Sequence, residues 1–343
     1  MTAVAGRFVD AYDLVILDLD GVVYLIDRPV PGAVEAIAEL HRSGPPVAYA
    51  TNNASRRADE VAALLTTMGV AASAAEVLTS ARAAAVVLRD RFPAGSPVLV
   101  VGAEALRAEV RDAGLVPVAR ADNAPAAVIQ GYGPTVGWTD LAEACIAVRK
   151  GALWVATNTD RTLPSPRGPL PGNGALVAAL RTALGRDPDL VVGKPEPGLF
   201  LAAARRASAR HPLVVGDRLD TDIEGAVRAG MDSLLVLTGV CTARDVLAAP
   251  ASRRPTHVAA DLSALFTVDG AVRVPLPDRA HGGWRVSRRG SGGLELSGAG
   301  EALDALRALC GPAWAETAEP AAPAVTAGSD PAAEALRVLG LAG

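Results

Sequence analysis

Leu14-Val15-Ile16-Leu17-Asp18-Leu19-Asp20-Gly21-Val22 runs four apolar residues into two carboxylates one residue apart, then into a glycine. A short apolar run bounded in this way predicts a strand buried on both faces, with Asp18 at its carboxyl end. Outward from it the alternation continues. Pro31 to His41 has apolar residues at helical spacing, with Gly44 as a stop. Pro46 to Ala50 predicts a second strand ending in Thr51-Asn52-Asn53, and Ala58 to Met68 a helix closed by Gly69. The pattern returns late in the chain. Leu190-Val191-Val192 leads into Gly193-Lys194-Pro195, Pro197 to Arg206 is helical, and Leu213-Val214-Val215 ends at Gly216-Asp217. Thr221 to Ala229 reads as a helix closed by Gly230, followed by a strand from Ser233 to Leu237. Strands alternating with helices imply an α/β fold, a doubly wound parallel sheet covered on both faces. Ligands of such sheets bind outside the carboxyl ends of the strands, where all these polar clusters fall.

Residues 81–179 interrupt the pattern with an alternation of their own. Val98 to Val101, Ala127 to Gln130 and Leu153 to Ala156 predict strands, and Ala103 to Ala113 and Thr139 to Lys150 predict helices. This is an inserted α/β domain, left through a Pro- and Gly-rich loop from Leu163 to Gly174. Residues 1–80 and 180–265 then form one discontinuous core. After Asp261 a small α+β extension, 266–343, is expected. Trp284 to Ser287 and Leu294 to Leu296 flank the turn Arg288-Arg289-Gly290-Ser291-Gly292-Gly293, a helix spans Glu301 to Leu309, a linker lies around Pro320 to Ala327, and Pro331 opens a last helix. Every polar cluster precedes Leu262, so the extension reads as a separable module that the chemistry does not need.

Composition narrows the function. A chain of 343 residues, half of them hydrophobic, has material for two or three domains. No apolar run approaches the ~18 residues of a membrane helix, and Met1 to Asp13 has neither the basic nor the apolar segment of a signal peptide. The net charge of -4 and the 3% aromatic content argue against a nucleic-acid partner. Cys145, Cys241 and Cys310 are far apart and form no C-x-x-C pair, which predicts neither disulfides nor zinc but a reducing cytoplasm. Only two lysines occur, Lys150 and Lys194, in a chain whose positive charge is otherwise arginine.

Each strand end has an ordinary and a chemical reading. Asp18 and Asp20 are either a solvated pair in a loop or two carboxylates on one ligand, with Gly21 giving a tight exit. Thr51-Asn52-Asn53 either caps a helix or offers a hydroxyl and backbone N–H groups to a phosphate oxygen. Lys194 is a surface lysine, or an ammonium that neutralises a phosphate and a nucleophilic carboxylate. Lys150, before Gly151, suits a helix C-terminus. Asp217, Asp220 and Asp222 crowd three carboxylates into six residues. Capping of the next helix explains one of them, and a bound cation such as Mg²⁺ explains the run. Taken together, a carboxylate pair, a hydroxyl, a lysine and a metal-ready cluster are the requirements of phosphate-monoester hydrolysis, among the slowest uncatalysed reactions.

The order Asp18-x-Asp20-Gly21-Val22, Thr51-Asn52, Lys194-Pro195 and Gly216-Asp217-x-x-x-x-Asp222 resembles the four motifs of the haloacid dehalogenase superfamily, over Asp13 to Leu262. The insertion is similar to the C2 cap of the NagD-like branch, and the C-terminal extension resembles that of actinobacterial glycerol-3-phosphate phosphatases. The resemblance implies a Mg²⁺-dependent phosphatase with a Rossmann-like core. Asp18 would be the nucleophile and Asp20 the general acid, then base. Thr51, the Asn52 backbone and Lys194 would hold the phosphoryl group. Asp18, the Asp20 carbonyl oxygen and Asp217 would bind the metal, with Asp222 in or next to its second shell. Thr157-Asn158-Thr159-Asp160 is similar to a cap stretch near the substrate in that family, which makes Asn158 and Asp160 candidate contacts, whereas the residues alone read as an ordinary turn. Pro171-Gly172-Asn173-Gly174 looks like a phosphate loop but lacks a following G-K-[ST], and is read as a hinge or helix start.

The expected substrate is a small phosphate ester, glycerol 3-phosphate first, then phosphoglycolate, pyridoxal phosphate and nucleoside monophosphates. A cap that closes over the site favours small esters over phosphoproteins. Two rivals are a phospho-acceptor that does not hydrolyse and a phospho-ligand binding module. Asp20, a base two residues from the nucleophile, argues against the first, and the full set of reactive groups against the second. A serine hydrolase is disfavoured because no G-x-S-x-G occurs. The sequence leaves open whether the protein is a homo-oligomer.

Overall fold

A computed structural model describes residues 6–268, 272–275, 280–290, 293–315 and 322–342. Ser291 and Gly292 of the expected hairpin turn, Pro320 and Ala321 of the linker, and the first five residues lie outside them. The chain packs as two compact units, residues 1–25, 29–47 and 207–343 in the first and 26–28 and 48–206 in the second.

In the first unit, parallel strands run in the order His257–Ala259, Asp232–Val236, Pro212–Gly216 and Leu14–Leu17. Leu17 stands opposite Val215, and Gly216 opposite Leu235. Leu14 to Leu17 are all buried, as expected of a strand covered on both faces. The segment expected as one helix from Thr221 is instead a π-helical turn, Leu219–Ile223, followed by an α-helix, Glu224–Ala229. The N–H groups of Asp222 and Ile223 both donate to the Arg218 carbonyl, at 3.1 and 3.1 Å. Such wide turns gather at functional sites.

The C-terminal extension is not a detached module. Its strands Trp284–Arg289 and Gly293–Gly298 pair antiparallel, as expected, and Val325–Ala327, read as linker, adds a parallel strand. Its helices are Ala302–Trp314 and Asp330–Val338. Trp284, Leu306, Leu309, Trp314 and Leu336 share one hydrophobic core with Leu235, Val246 and Val258. Trp314 Nε1 donates to the Val246 carbonyl at 2.9 Å, and the buried Arg307 guanidinium donates twice to the Val258 carbonyl, at 2.9 and 3.1 Å. The weak pattern after Asp261 suggested separability because the apolar residues that complete this core are spread over short elements.

In the second unit the main sheet is parallel in the order Leu190–Val191, Leu153–Ala156, Ala127–Gln130, Pro97–Val101 and Val116–Val118. Side chains alternate with period two between two cores. Val98, Val100, Ile129 and Val155 pack with Leu88 of helix Ser80–Arg89 and with Leu106 and Val110 of helix Glu104–Asp112. Leu99, Val101, Val128 and Trp154 pack with Ala144 and Val148 of helix Trp138–Arg149 and with Val177 and Leu180 of helix Asn173–Leu184. Leu190–Val191, expected within the core alternation of 180–265, instead pairs with Leu153–Ala156 of the insertion. An apolar run predicts a strand but does not choose its neighbour. Strands Val47–Thr51 and Val77–Thr79 pair parallel, with Thr51 opposite Thr79.

Candidate active site

The strand Leu14–Leu17 delivers Asp18, whose N–H donates to the Val215 carbonyl at 2.9 Å. The strand Pro212–Gly216 delivers Asp217, and the π-helical turn brings back Asp222. One carboxylate oxygen from each of Asp18, Asp217 and Asp222 lies within 4.8 Å of the others, and all three residues are buried, at 8%, 0% and 0% exposure. Removing three carboxylates from water costs several kcal/mol each unless a cation compensates. Buried oxygen ligands of this charge suit a hard divalent ion, so the donor set fits Mg²⁺.

Backbone and glycines hold the cluster. Asp217 Oδ2 accepts from the Val240 N–H at 2.7 Å, and the Asp217 carbonyl from the Cys241 N–H at 3.3 Å. Asp222 Oδ2 accepts from the Arg218 N–H at 3.2 Å. A Cβ on Gly239 or Gly21 would collide with the Asp217 carboxylate, and one on Gly216 with the Asp222 side chain. Gly21 also has φ of 85°, a conformation that favours glycine. Its carbonyl accepts from Thr238 Oγ1 at 2.6 Å. Asp20 is half-buried and bridges to Tyr24.

Asp220 stands apart from the other carboxylates of its run. Its half-exposed side chain takes a forked pair of bonds from Arg218, at 3.0 and 3.0 Å. Partial burial would raise its carboxyl pKa, but the Arg218 guanidinium outweighs this and holds it below the usual range. The run is thus explained by the cluster for two of its members and by an ion pair for the third.

The second unit gathers Thr51, Asn52, Asn158, Asp160 and Lys194. Thr51 and Lys194 are buried, each 2% exposed. Thr51 Oγ1 accepts from the Asn53 N–H at 3.1 Å, turning the chain just past its strand. The Asn52 carboxamide pairs with both backbone groups of Lys194. Its Oδ1 accepts from the Lys194 N–H at 2.8 Å, and its Nδ2 donates to the Lys194 carbonyl at 3.1 Å. The same Nδ2 donates to Asp160 Oδ2 and Oδ1, at 3.0 and 3.2 Å. Asn158 Nδ2 donates to the Asn52 carbonyl at 2.7 Å. Gly193 has no room for a Cβ beside Asn52 Oδ1 and the Thr157 carbonyl.

Thr238, Gly239, Val240 and the Asn52 carboxamide were missed as functional groups in the sequence. Val240 acts through its backbone N–H and Gly239 through empty space, which leave no residue-type signal, while Thr238 acts through its hydroxyl. Gly239 after a predicted strand was the available hint. Cys241 also has a local role, its Sγ accepting the Leu219 N–H at 3.3 Å, while burial pushes its thiol pKa up to about 12.

Comparison with known proteins finds matches in three stretches of the chain. A haloacid dehalogenase-like hydrolase model matches residues 15–116, and a HAD-hydrolase-like model residues 191–265. A GCN5-related N-acetyltransferase like domain model matches residues 281–341, within the extension. The chain is 48% identical over 294 residues to the D-glycerol 3-phosphate phosphatase of Mycobacterium tuberculosis, covering 85% of this chain and 80% of that one. It superposes on the crystal structure of a glycerol phosphate phosphatase from the same organism in complex with magnesium with a TM-score of 0.90 and 44% identity, over 98% of this chain and 99% of the other. A 4-nitrophenylphosphatase from Thermotoga maritima gives a TM-score of 0.70 and 33% identity, over 76% and 98%. Among the described residues no helix is long and apolar enough to cross a membrane.

Proposed function

The chain belongs to the haloacid dehalogenase-like hydrolases, and from that premise we propose that it hydrolyses glycerol 3-phosphate through a phosphoryl group carried on Asp18. It is a Mg²⁺-dependent phosphatase of small phosphate monoesters. The observation that carries the reading is the buried trio Asp18, Asp217 and Asp222, a donor set that is costly without a cation. The choice of ester is supported by the 48% identity to an enzyme named for it.

In this mechanism the Asp18 carboxylate attacks phosphorus and forms an O–P bond, and the ester O–P bond breaks. Asp20 gives its proton to the departing alkoxide. The Asp20 carboxylate then takes a proton from water, which attacks the aspartyl phosphate and releases inorganic phosphate and Asp18. The Thr51 hydroxyl, the Asn52 N–H and the Lys194 ammonium hold the transferring group. Mg²⁺, held by Asp18, the Asp20 carbonyl and Asp217 with Asp222 beside them, would neutralise charge on the phosphoryl oxygens. Asn158 and Asp160 remain candidate contacts for the leaving group.

On the same reading the hydrolase core is expected in 1–80 and 180–265, the cap in 81–179 and the extension in 266–343. The core gives up strand Leu190–Val191 and the end of helix Asn173–Leu184 to the cap, because both pack with the cap's sheet. A cytoplasmic setting is supported by Cys145, Cys241 and Cys310, which are all free.

Phosphate release by the purified protein tests the reading. Glycerol 3-phosphate should be turned over faster than phosphoglycolate, pyridoxal phosphate or nucleoside monophosphates, EDTA should stop release, and Mg²⁺ should restore it. Undiminished turnover in chelator would sink the metal assignment, and a faster ester would replace glycerol 3-phosphate.

A further inference from the structure

The Pro171-Gly172-Asn173-Gly174 segment is not used by the mechanism, yet it is packed with unusual closeness. The helix Asn173–Leu184 starts within it. A Cβ on Gly172 would collide with the Asp160 carbonyl, and one on Gly174 with the Thr159 carbonyl. The Gly174 N–H donates to the Asp160 carbonyl at 2.8 Å, and the Gly172 N–H to the Arg161 carbonyl at 2.9 Å. The two glycines thus seat the Thr157–Asp160 loop directly on the helix start.

Asn173 lies between them, 2% exposed. Its Nδ2 donates to the Asn158 carbonyl at 2.7 Å and to the Gln130 carbonyl at 3.3 Å. Its Oδ1 is buried with no hydrogen-bond donor among the described residues. Leaving one end of a buried amide unsatisfied costs about 1–3 kcal/mol. An apolar residue would avoid that cost, so what the asparagine supplies is its donor to Asn158.

From Asn158 the bonds run on without a gap. Asn158 Nδ2 reaches the Asn52 carbonyl, and the Asn52 carboxamide clamps the Lys194 N–H and carbonyl. Ser80 Oγ, at 2.7 Å, gives the Asn52 carbonyl a second donor. We infer that Asn173 is a positioning residue for phosphate handling: through Asn158 and Asn52 it holds the Lys194 peptide, and with it the direction in which the ammonium leaves the chain. The inference rests on the proposed role of Lys194. Asp160 is held by the same Asn52 amide, so the network also fixes the loop that carries this candidate leaving-group contact.

The test compares Asn173→Ala with the unaltered protein on glycerol 3-phosphate and 4-nitrophenyl phosphate, whose leaving groups differ. The inhibition constant of inorganic phosphate and the thermal midpoint are measured beside them. Small misplacement of a positioning group costs up to about 100-fold. The expected result is a loss in kcat/KM of about 10- to 100-fold, equal for both esters, with weaker phosphate inhibition. Kinetic and inhibition constants unchanged per folded molecule, with only a lower midpoint, would make Asn173 purely structural and overturn the inference. A loss confined to one ester would assign the network to the leaving group and also overturn it. If Asn173→Ala does not fold, Asn158→Ser cuts the next bond and is read by the same criteria. Lys194→Met separates the layers. Full activity there defeats the role of Lys194 and the inference with it, whereas a loss in Lys194→Met without one in Asn173→Ala defeats the inference alone.

Discussion

The two units hold their reactive groups by different means. In the first, the Asp217 and Asp222 carboxylates accept backbone N–H groups of Val240 and Arg218, and Gly21, Gly216 and Gly239 clear space around them. In the second, side-chain amides do the holding, with Asn52 clamping Lys194 and Asn158 bonding Asn52. Backbone support is tied to the sheet and tolerates few changes at its glycines. Amide support is a chain of separate bonds, each open to substitution and each leaving a buried group unpaired when cut.

Four substitutions probe the first of these arrangements. The largest effect is expected for Asp18→Asn, which removes the nucleophile and should lower turnover by at least ~10³-fold. Acid-quenched, borohydride-trapped protein should carry its label on Asp18 in the unaltered chain and nowhere in the variant. Label on a serine or histidine would exclude the mechanism. Gly239→Ala comes next. Its methyl group must displace the Asp217 carboxylate, so Mg²⁺ affinity measured by calorimetry should fall by about 10- to 100-fold, the usual scale for disturbing a ligand's supports. Unaltered affinity would show that the close approach is dispensable. The smallest effect is expected for Asp220→Asn, which loses only a half-exposed ion pair of about 0–1 kcal/mol. Its kcat and Mg²⁺ affinity should stay within about threefold of the parent, whereas Asp222→Asn, two residues on, should lose metal affinity. Equal losses in both would dissolve the distinction between the buried cluster and the Arg218 pair.

The extension makes a second contrast. Read from the sequence, residues 266–343 looked dispensable because every motif precedes them. In the structure Trp314, Leu306 and Leu336 complete the core that Val246 and Val258 begin, so cutting the chain after Phe266 would expose that face to water.

Residue chemistry made much of the candidate site legible. Asp18, Asp217 and Asp222 were singled out by charge density at strand ends, and Lys194 by its rarity. The strands Leu14–Leu17, Pro212–Gly216 and Asp232–Val236 followed from unbroken apolar runs, because strands covered on both faces need them. Periodicity is a local property and identifies an element without choosing its neighbour. Only the tertiary structure decided that Leu190–Val191 joins Leu153–Ala156, that Asp220 turns to Arg218 while Asp222 turns inward, and that Asn173 underpins the Asn158 loop. Those outcomes depend on hydrogen bonds and steric clearance between residues far apart in the chain. Backbone donors and the space beside a glycine carry no side-chain signature that a sequence could display.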